Sequence, residues 1–363
     1  MPDASDFSPD YTAAQARFRG AALGLGWHLE QHPIGQKGPD GTELTIDVAR
    51  FGDDKPKRAV VVSSGLHGVE GFFGSAVQCA LLEQVLGGWT PEDGAGLVFI
   101  HALNPYGFAW IRRVNENNVD LNRNFLLPGQ EFVGSPPKYG DLDPLLNPKA
   151  PPGAMPVFMA KAVYNIMRHG MPALKNAVAG GQYDYPQGLF FGGSGAQQTQ
   201  TILKEQLPKW VGGAERVIHV DFHTGLGKSG TYKLLIDHPW DSPMVGKLGE
   251  AFGADVVEPW EPAQGVSYAI RGGMGAWCKA LLPDTDYDVA VAEFGTHHVL
   301  KVIEALHTEN RAHHWSDDDA VTKAAKNRLH EIFAPRSQAW RDEVVPKGIR
   351  IVQQAIDAAL STA

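Results

Sequence analysis

Hydrophobic and polar positions follow different periods along this chain, and the changes of period mark its elements. ELTIDVARF (residues 43–51) alternates as a strand, while RAVVVSSG (58–65) and GLVFIHALNP (96–105) are near-continuous apolar runs that suit buried strands. Between the last two, Gly71–Leu86 has a helical pattern, which predicts a β-α-β unit with a parallel pair. Further strands are expected at RVIHVDFHTG (216–225), YKLLIDH (232–238) and DYDVAVAEFGTH (286–297). Helices are expected over Tyr11–Glu30, VFMAKAVYNIMRHG (157–170), SGAQQTQTILKEQLPKW (194–210), Asp317–Phe333 and Ser337–Leu360. The Pro- and Gly-rich stretch Pro128–Gly153 reads as a long surface loop. The alternation predicts an α/β fold, a mixed and mostly parallel sheet flanked by helices on both faces. With no internal repeat or low-complexity linker, one domain over residues 1–363 is expected, the helices near 11–30 and 317–360 being additions to it.

Composition narrows the function. A net charge of −9 argues against a nucleic-acid or anionic-membrane surface, either of which calls for a basic patch. The apolar fraction of 43% and charged fraction of 20% are those of a soluble protein, and no run approaches the ~18 apolar residues of a membrane span. The first residues, MPDASDFSPDYTAAQARFRG, lack a basic start followed by an apolar core, so no signal peptide and a cytoplasmic location are expected. Cys79 and Cys278 permit one disulfide at most, and two buried thiols are the expectation.

Ligands of open α/β sheets sit beyond the carboxyl ends of the strands. VVVSSGLHGVE, HVDFHTGLG and VAVAEFGTH each place a His or Glu there. His67 and Glu70, three residues apart, would let an imidazole nitrogen and a carboxylate oxygen meet one cation, with Gly65 and Gly68 turning the chain tightly enough to aim both. The plainer alternative is a loop histidine and a glutamate complementing a helix dipole. His223 ends an apolar run and is the natural third ligand, whereas His219, inside the run, reads as a satisfied core histidine. Two His and one Glu make a catalytic zinc set with one open position, and two cysteines cannot make a structural one. Glu293 ends another buried run, so it is either ion-paired or a general base. IRRVNENNVDLNRNF (111–125) gathers Arg112, Arg113, Asn122 and Arg123, which suit a carboxylate-bearing substrate. FGGSGAQ lacks the last glycine of a nucleophile elbow and follows no clear strand, which argues against a serine hydrolase.

In this order, HGVE, DLNRNF, a single later His and a late strand Glu resemble the M14 zinc carboxypeptidase superfamily, and the match runs from Ser63 to Gly295. The whole chain looks like the bacterial DUF2817 branch. The resemblance implies a zinc carboxypeptidase-like, phosphorylase/hydrolase-like fold. One Zn2+ would be held by His67, Glu70 and His223, with Asp120 accepting from the first ligand histidine. Asn122 and Arg123 would grip the substrate carboxylate. Arg113 would stabilise the oxyanion, with Arg112 the competing candidate, and Glu293 would act as general base. YAIRGGMGAW (268–277) repeats the Y-x-x-x-G-G-x-x-x-W spacing around a substrate-capping tyrosine, which makes Tyr268 a substrate-contact candidate and leaves Met274, Gly275 and Ala276 to line a pocket without fixed charge.

DFHTG, and the short spacing from Arg113 to Asn122, look more like the succinylglutamate desuccinylase and aspartoacylase branch. The implied activity is zinc-dependent cleavage of an amide next to a free carboxylate, with a metal-activated water. The alternatives are an N-acyl amino-acid deacylase and a non-catalytic zinc protein that recognises peptide carboxylates. The expected partner is a small peptide or acylated amino acid, with neither nucleic acid nor membrane.

Overall fold

The computed structural model describes residues 7–153, 180–260 and 270–360. The helix expected at 157–170 and the candidate Tyr268 lie outside these residues. The chain enters through α1 (Tyr11–Gly24), which the Asp10 side chain caps by accepting from Ala13 N. Gly26, at φ +75°, turns the backbone out of the helix into β1 (His28–Lys37). The helix expected as far as Glu30 therefore ends at Gly24. β1 was not legible because it is an edge strand: only Ile34 is buried, so it carries no apolar alternation, and the edge also tolerates Pro33.

β2 (Glu43–Gly52), β3 (Arg58–Ser64), α2 (Gly71–Ala80) and β4 (Ala95–His101) follow as expected, α2 running on into a π turn at Leu81–Val85. Then come α3 (Pro105–Ala109) and α4 (Tyr139–Leu146), the latter inside the stretch read as loop. Tyr139, Leu142 and Leu146 of α4 are buried, which the surrounding prolines and glycines concealed. α5 (Gln198–Trp210), β5 (Arg216–Thr224) and β6 (Tyr232–Ile236) match the expectation. The elements α6 (Pro243–Phe252), β7 (Val257–Pro259) and α7 (Met274–Leu281) do not figure in it. β8 (Asp286–Phe294), α8 (Val299–Trp315), α9 (Asp319–Phe333) and α10 (Gln338–Leu360) complete the described chain. Of these α8 was also missed, since its buried side includes Glu304, His307, Glu309 and Asn310 and breaks the apolar stripe.

The eight strands form one sheet in the order β1-β2-β4-β3-β5-β8-β6-β7. Its centre, β4-β3-β5-β8, is parallel, and β2 and β6 join that centre antiparallel on either side. This is the mixed, mostly parallel sheet that the alternation predicts.

Side chains alternate between the two faces of a strand. On one face α2 and α10 pack over β3 and β5: Phe73 of α2 meets Phe222 and Phe294 with ring centroids 5.8 and 4.6 Å apart, and Trp340 of α10 at 5.8 Å. Helix α7 lies on the opposite face, where a Cβ on Gly275 would come within 3.4 Å of Val289. Ser63, Asp221 and His223 point to that opposite face, because Ser63 pairs with Asp221 and His223 with Glu293 in register. Among the described residues no helix is long and apolar enough to cross a membrane.

Candidate metal centre

After β3 the backbone turns through Gly65 (φ +66°), where a Cβ would sit 2.9 Å from that of Ala102. Gly68 lies so close to Gly107 that a Cβ would meet its backbone at 2.1 Å. Those two approaches explain the glycines on either side of Leu66-His67. Gly68 N and Val69 N donate to the carbonyls of Arg113 and Arg112, which fixes the turn against the arginine-rich stretch. Gly68–Glu70 forms a 3-10 turn leading into α2, and so His67 and Glu70 face one another, with Nδ1 3.0 Å from Oε1.

His223 closes the group from β5. Its Nδ1 is 3.1 Å from Glu70 Oε2 and 3.1 Å from His67 Nδ1. The donor atoms of His67, Glu70 and His223 all lie within 4.8 Å of one another, and all three residues are buried. Each imidazole has a carboxylate behind it: His67 Nε2 lies 3.1 Å from Asp120 Oδ1, and His223 Nε2 lies 2.6 Å from Asp221 Oδ2. A cation bound at Nδ1 would leave the single proton of each ring on Nε2, facing Asp120 or Asp221. Both Nδ1 lone pairs then converge on the space beside Glu70, and the donor chemistry suits a borderline cation such as zinc.

The electrostatics are those of a site built for charge. Burial works to raise the Glu70 carboxyl, but the charge of His67 and the hydrogen bonds from His223 and His67 outweigh it and hold it well below the usual range. Burial likewise works against ionisation of Asp120, but the charges of Arg113 and Arg123 keep it well below the normal carboxylate value. Burial depresses His223, yet the charge of Asp221 and the bonds to Asp221 and Glu70 raise it well above an ordinary histidine. The Asp221 and Glu70 carboxylates both lie against that ring. Glu293 moves the other way: burial first, then the Glu70 charge, push it up to about 7. Its Oε1 accepts from Leu226 N at 2.9 Å.

Arg113 reaches the centre, and Arg112 does not. Arg113 donates from Nη1 to Glu70 Oε1 at 2.9 Å and from Nε to Asp120 Oδ2 at 3.1 Å. Its Nη2 stands 2.8 Å from His67 Nε2, a donor against a donor when that nitrogen serves Asp120. Arg112 is fully buried and turned away, paired with Glu309 at 2.8 Å and bonded to Asn118. Asn122 donates its backbone N–H to Asp120, and its side-chain oxygen accepts from Met274 N at the start of α7. Arg123 is buried, with Nη1 donating to the Asn122 carbonyl. Arg113 and Arg123 both stand over the Phe190 ring, 5.6 and 5.9 Å from its centroid, and Phe190 itself has φ +59°.

Asn122 also lines a cleft whose walls include Leu235, Trp260, Met274, Val289 and Val291. Val289 and Val291 share a face of β8 with Glu293. Gly275 and Ala276 line it as expected; the charged groups at its wall are Arg271 and the exposed Asp237. Sequence reasoning missed Asp221, Ser63 and Phe190. For Asp221 a signal was present: in D-x-H on one strand the two side chains share a face.

A family model described as "Protein of unknown function (DUF2817)" matches residues 7–347. The chain belongs to this family. No curated protein matches the sequence. Among solved structures the DUF2817 chain is similar to carboxypeptidase A from Helicoverpa armigera, at 13% identity and TM-score 0.48, over 88% of this chain and 74% of that one. It is similar to the murein-tripeptide amidase MpaA from Escherichia coli O157, at 17% identity and TM-score 0.37, over 82% and 91%. An aspartoacylase family protein from Mesorhizobium loti aligns at 14% identity and TM-score 0.38, over 79% and 66%.

Proposed function

We propose that this protein is a zinc-dependent hydrolase that cleaves an amide bond next to a free carboxylate. The observation that carries the reading is the convergence of His67 Nδ1, His223 Nδ1 and Glu70 at one buried point, with Glu293 in register beside His223. A zinc ion held by those three residues would supply Lewis acidity to the scissile carbonyl and to the attacking water. Glu293 takes the proton of that water and returns it to the leaving amine, a role suited to a carboxylate whose burial brings its pKa near neutrality. Arg113, the arginine beside the ligands, faces the developing oxyanion once it exchanges a bond to Glu70 for the substrate. Asn122 and Arg123 orient the substrate carboxylate. The cleft beyond Asn122, walled by Met274, Val289 and Val291, favours an apolar side chain on the carboxylate-bearing residue.

The test is metal analysis of the purified protein, coupled to hydrolysis of a panel of peptides with free C-termini and of N-acyl amino acids. One zinc per chain and release of C-terminal apolar residues are expected. Turnover of N-acyl amino acids alone would make the enzyme a deacylase. Stoichiometric zinc with no hydrolysis across the panel would leave a carboxylate-recognition protein.

A further inference from the structure

Beneath the ligand His223 runs a line of buried polar side chains that the proposed chemistry does not use. Tyr287 OH lies 2.9 Å from His219 Nδ1, His219 Nε2 lies 2.7 Å from Ser63 Oγ, and Ser63 Oγ lies 2.5 Å from Asp221 Oδ1. The other Asp221 oxygen holds His223 Nε2 at 2.6 Å. All five side chains are at most 2% exposed, so bulk water cannot stand in for any of them. They come from three neighbouring strands: β3 gives Ser63, β5 gives His219, Asp221 and His223, and β8 gives Tyr287.

The protons in this line have one possible direction. The Asp221 carboxylate has no hydrogen to give, so Ser63 donates to Oδ1. A serine hydroxyl has one hydrogen, so Ser63 must accept from His219, whose proton is therefore on Nε2. Nδ1 of a neutral His219 is then a bare acceptor, and Tyr287 donates to it. Burial pushes the His219 pKa down to about 4, in keeping with a neutral ring.

We propose that Ser63, His219 and Tyr287 are positioning residues that act through Asp221 to hold His223 with its proton on Nε2 and its Nδ1 lone pair turned to the metal. The proposal rests on the metal reading above and adds to it that metal affinity depends on residues that cannot touch the ion. The reason is that a carboxylate fixed through both oxygens cannot rotate away from the imidazole it orients, and such supporting contacts set ligand basicity as well as direction. The line also gives His219 a purpose other than filling the core.

The test measures Zn2+ dissociation constants by chelator competition for wild type, Ser63→Ala and Tyr287→Phe, with Val220→Ala, on the other face of β5, as a control for destabilisation alone. Long-range 1H–15N NMR of histidine-labelled protein reads the His219 tautomer independently of metal. Ser63→Ala is expected to weaken Zn2+ binding about tenfold, Tyr287→Phe by less, and Val220→Ala not at all, with His219 protonated on Nε2 in the wild type. Equal affinities for wild type and both variants, or a His219 proton on Nδ1, would overturn the proposal while leaving the metal reading intact. If Ser63→Ala does not fold, Tyr287→Phe and the tautomer still decide. A wild type that binds no Zn2+ overturns the metal reading and this proposal together.

Discussion

The two faces of the central strands share a backbone and differ in almost everything else. Towards α2 and α10, β5 and β8 present Val220, Phe222, Ala292 and Phe294, all buried and apolar, and Phe73 joins their aromatic rings to Trp340. One residue along, the same strands present His219, Asp221, His223 and Glu293, equally buried and all ionisable. The first face stabilises by removing hydrocarbon from water. The second spends some of that stability, since each buried polar group must find a partner. Burial is thus not what separates core from site here. The separation is whether the buried groups are satisfied by packing or by directed hydrogen bonds that leave donor atoms aimed at one point.

Substitutions that affect one face and spare the other test this contrast. The largest effect is expected from Glu293→Gln, which should lower turnover by roughly 10²–10⁴-fold while metal content, read by elemental analysis, stays at one ion per chain. Retained full activity would remove the general-base role. His223→Ala should release the metal without unfolding the chain, as followed by the same analysis and by circular dichroism; unchanged occupancy would mean that another histidine completes the site. Phe73→Ala acts on the opposite face and should cost about 3–5 kcal/mol in urea unfolding. Its folded fraction should bind metal as the wild type does, and a loss of affinity would show that the two faces are coupled.

Per pH unit, the smallest effect concerns acid. His101, stacked on Phe18 of α1 and bonded to Ser75 of α2, is pushed by burial down to about 3. Its folded pKa lies below the unfolded value of ~6.5, so the unfolded chain takes up the proton first as pH falls. The stability that the neutral ring contributes is therefore complete above about pH 6.5 and is lost as the pH falls toward 3. The stability gap between wild type and His101→Gln should narrow by up to about 1.4 kcal/mol per pH unit below pH 6. A gap independent of pH would mean that His101 is not buried neutral.

Much of this was legible from residue order. The apolar runs located the central strands, because strands covered on both faces are largely apolar. The candidate site was legible for the same reason: a His or Glu just past such a run is conspicuous, and His67, Glu70, His223 and Glu293 stand out in that way. The edge strand β1 and the half-polar helix α8 were hidden, since neither has a face apolar enough to set a period. Arg112 and Arg113 could not be separated by sequence either. They are chain neighbours of identical chemistry, and only the position of Glu309, nearly two hundred residues later, draws one of them away from the site.

The order of residues alone determined the alternating α/β architecture, the strand ends at which polar groups would gather, and the kinds of donor present there. The tertiary structure decided which donors meet, which of the two arginines reaches them, and that His219 is joined through Ser63 and Asp221 to His223. Periodicity records which side of its own strand a residue occupies. Register between strands records who stands opposite, and the hydrogen bonds that aim a ligand atom depend on the second.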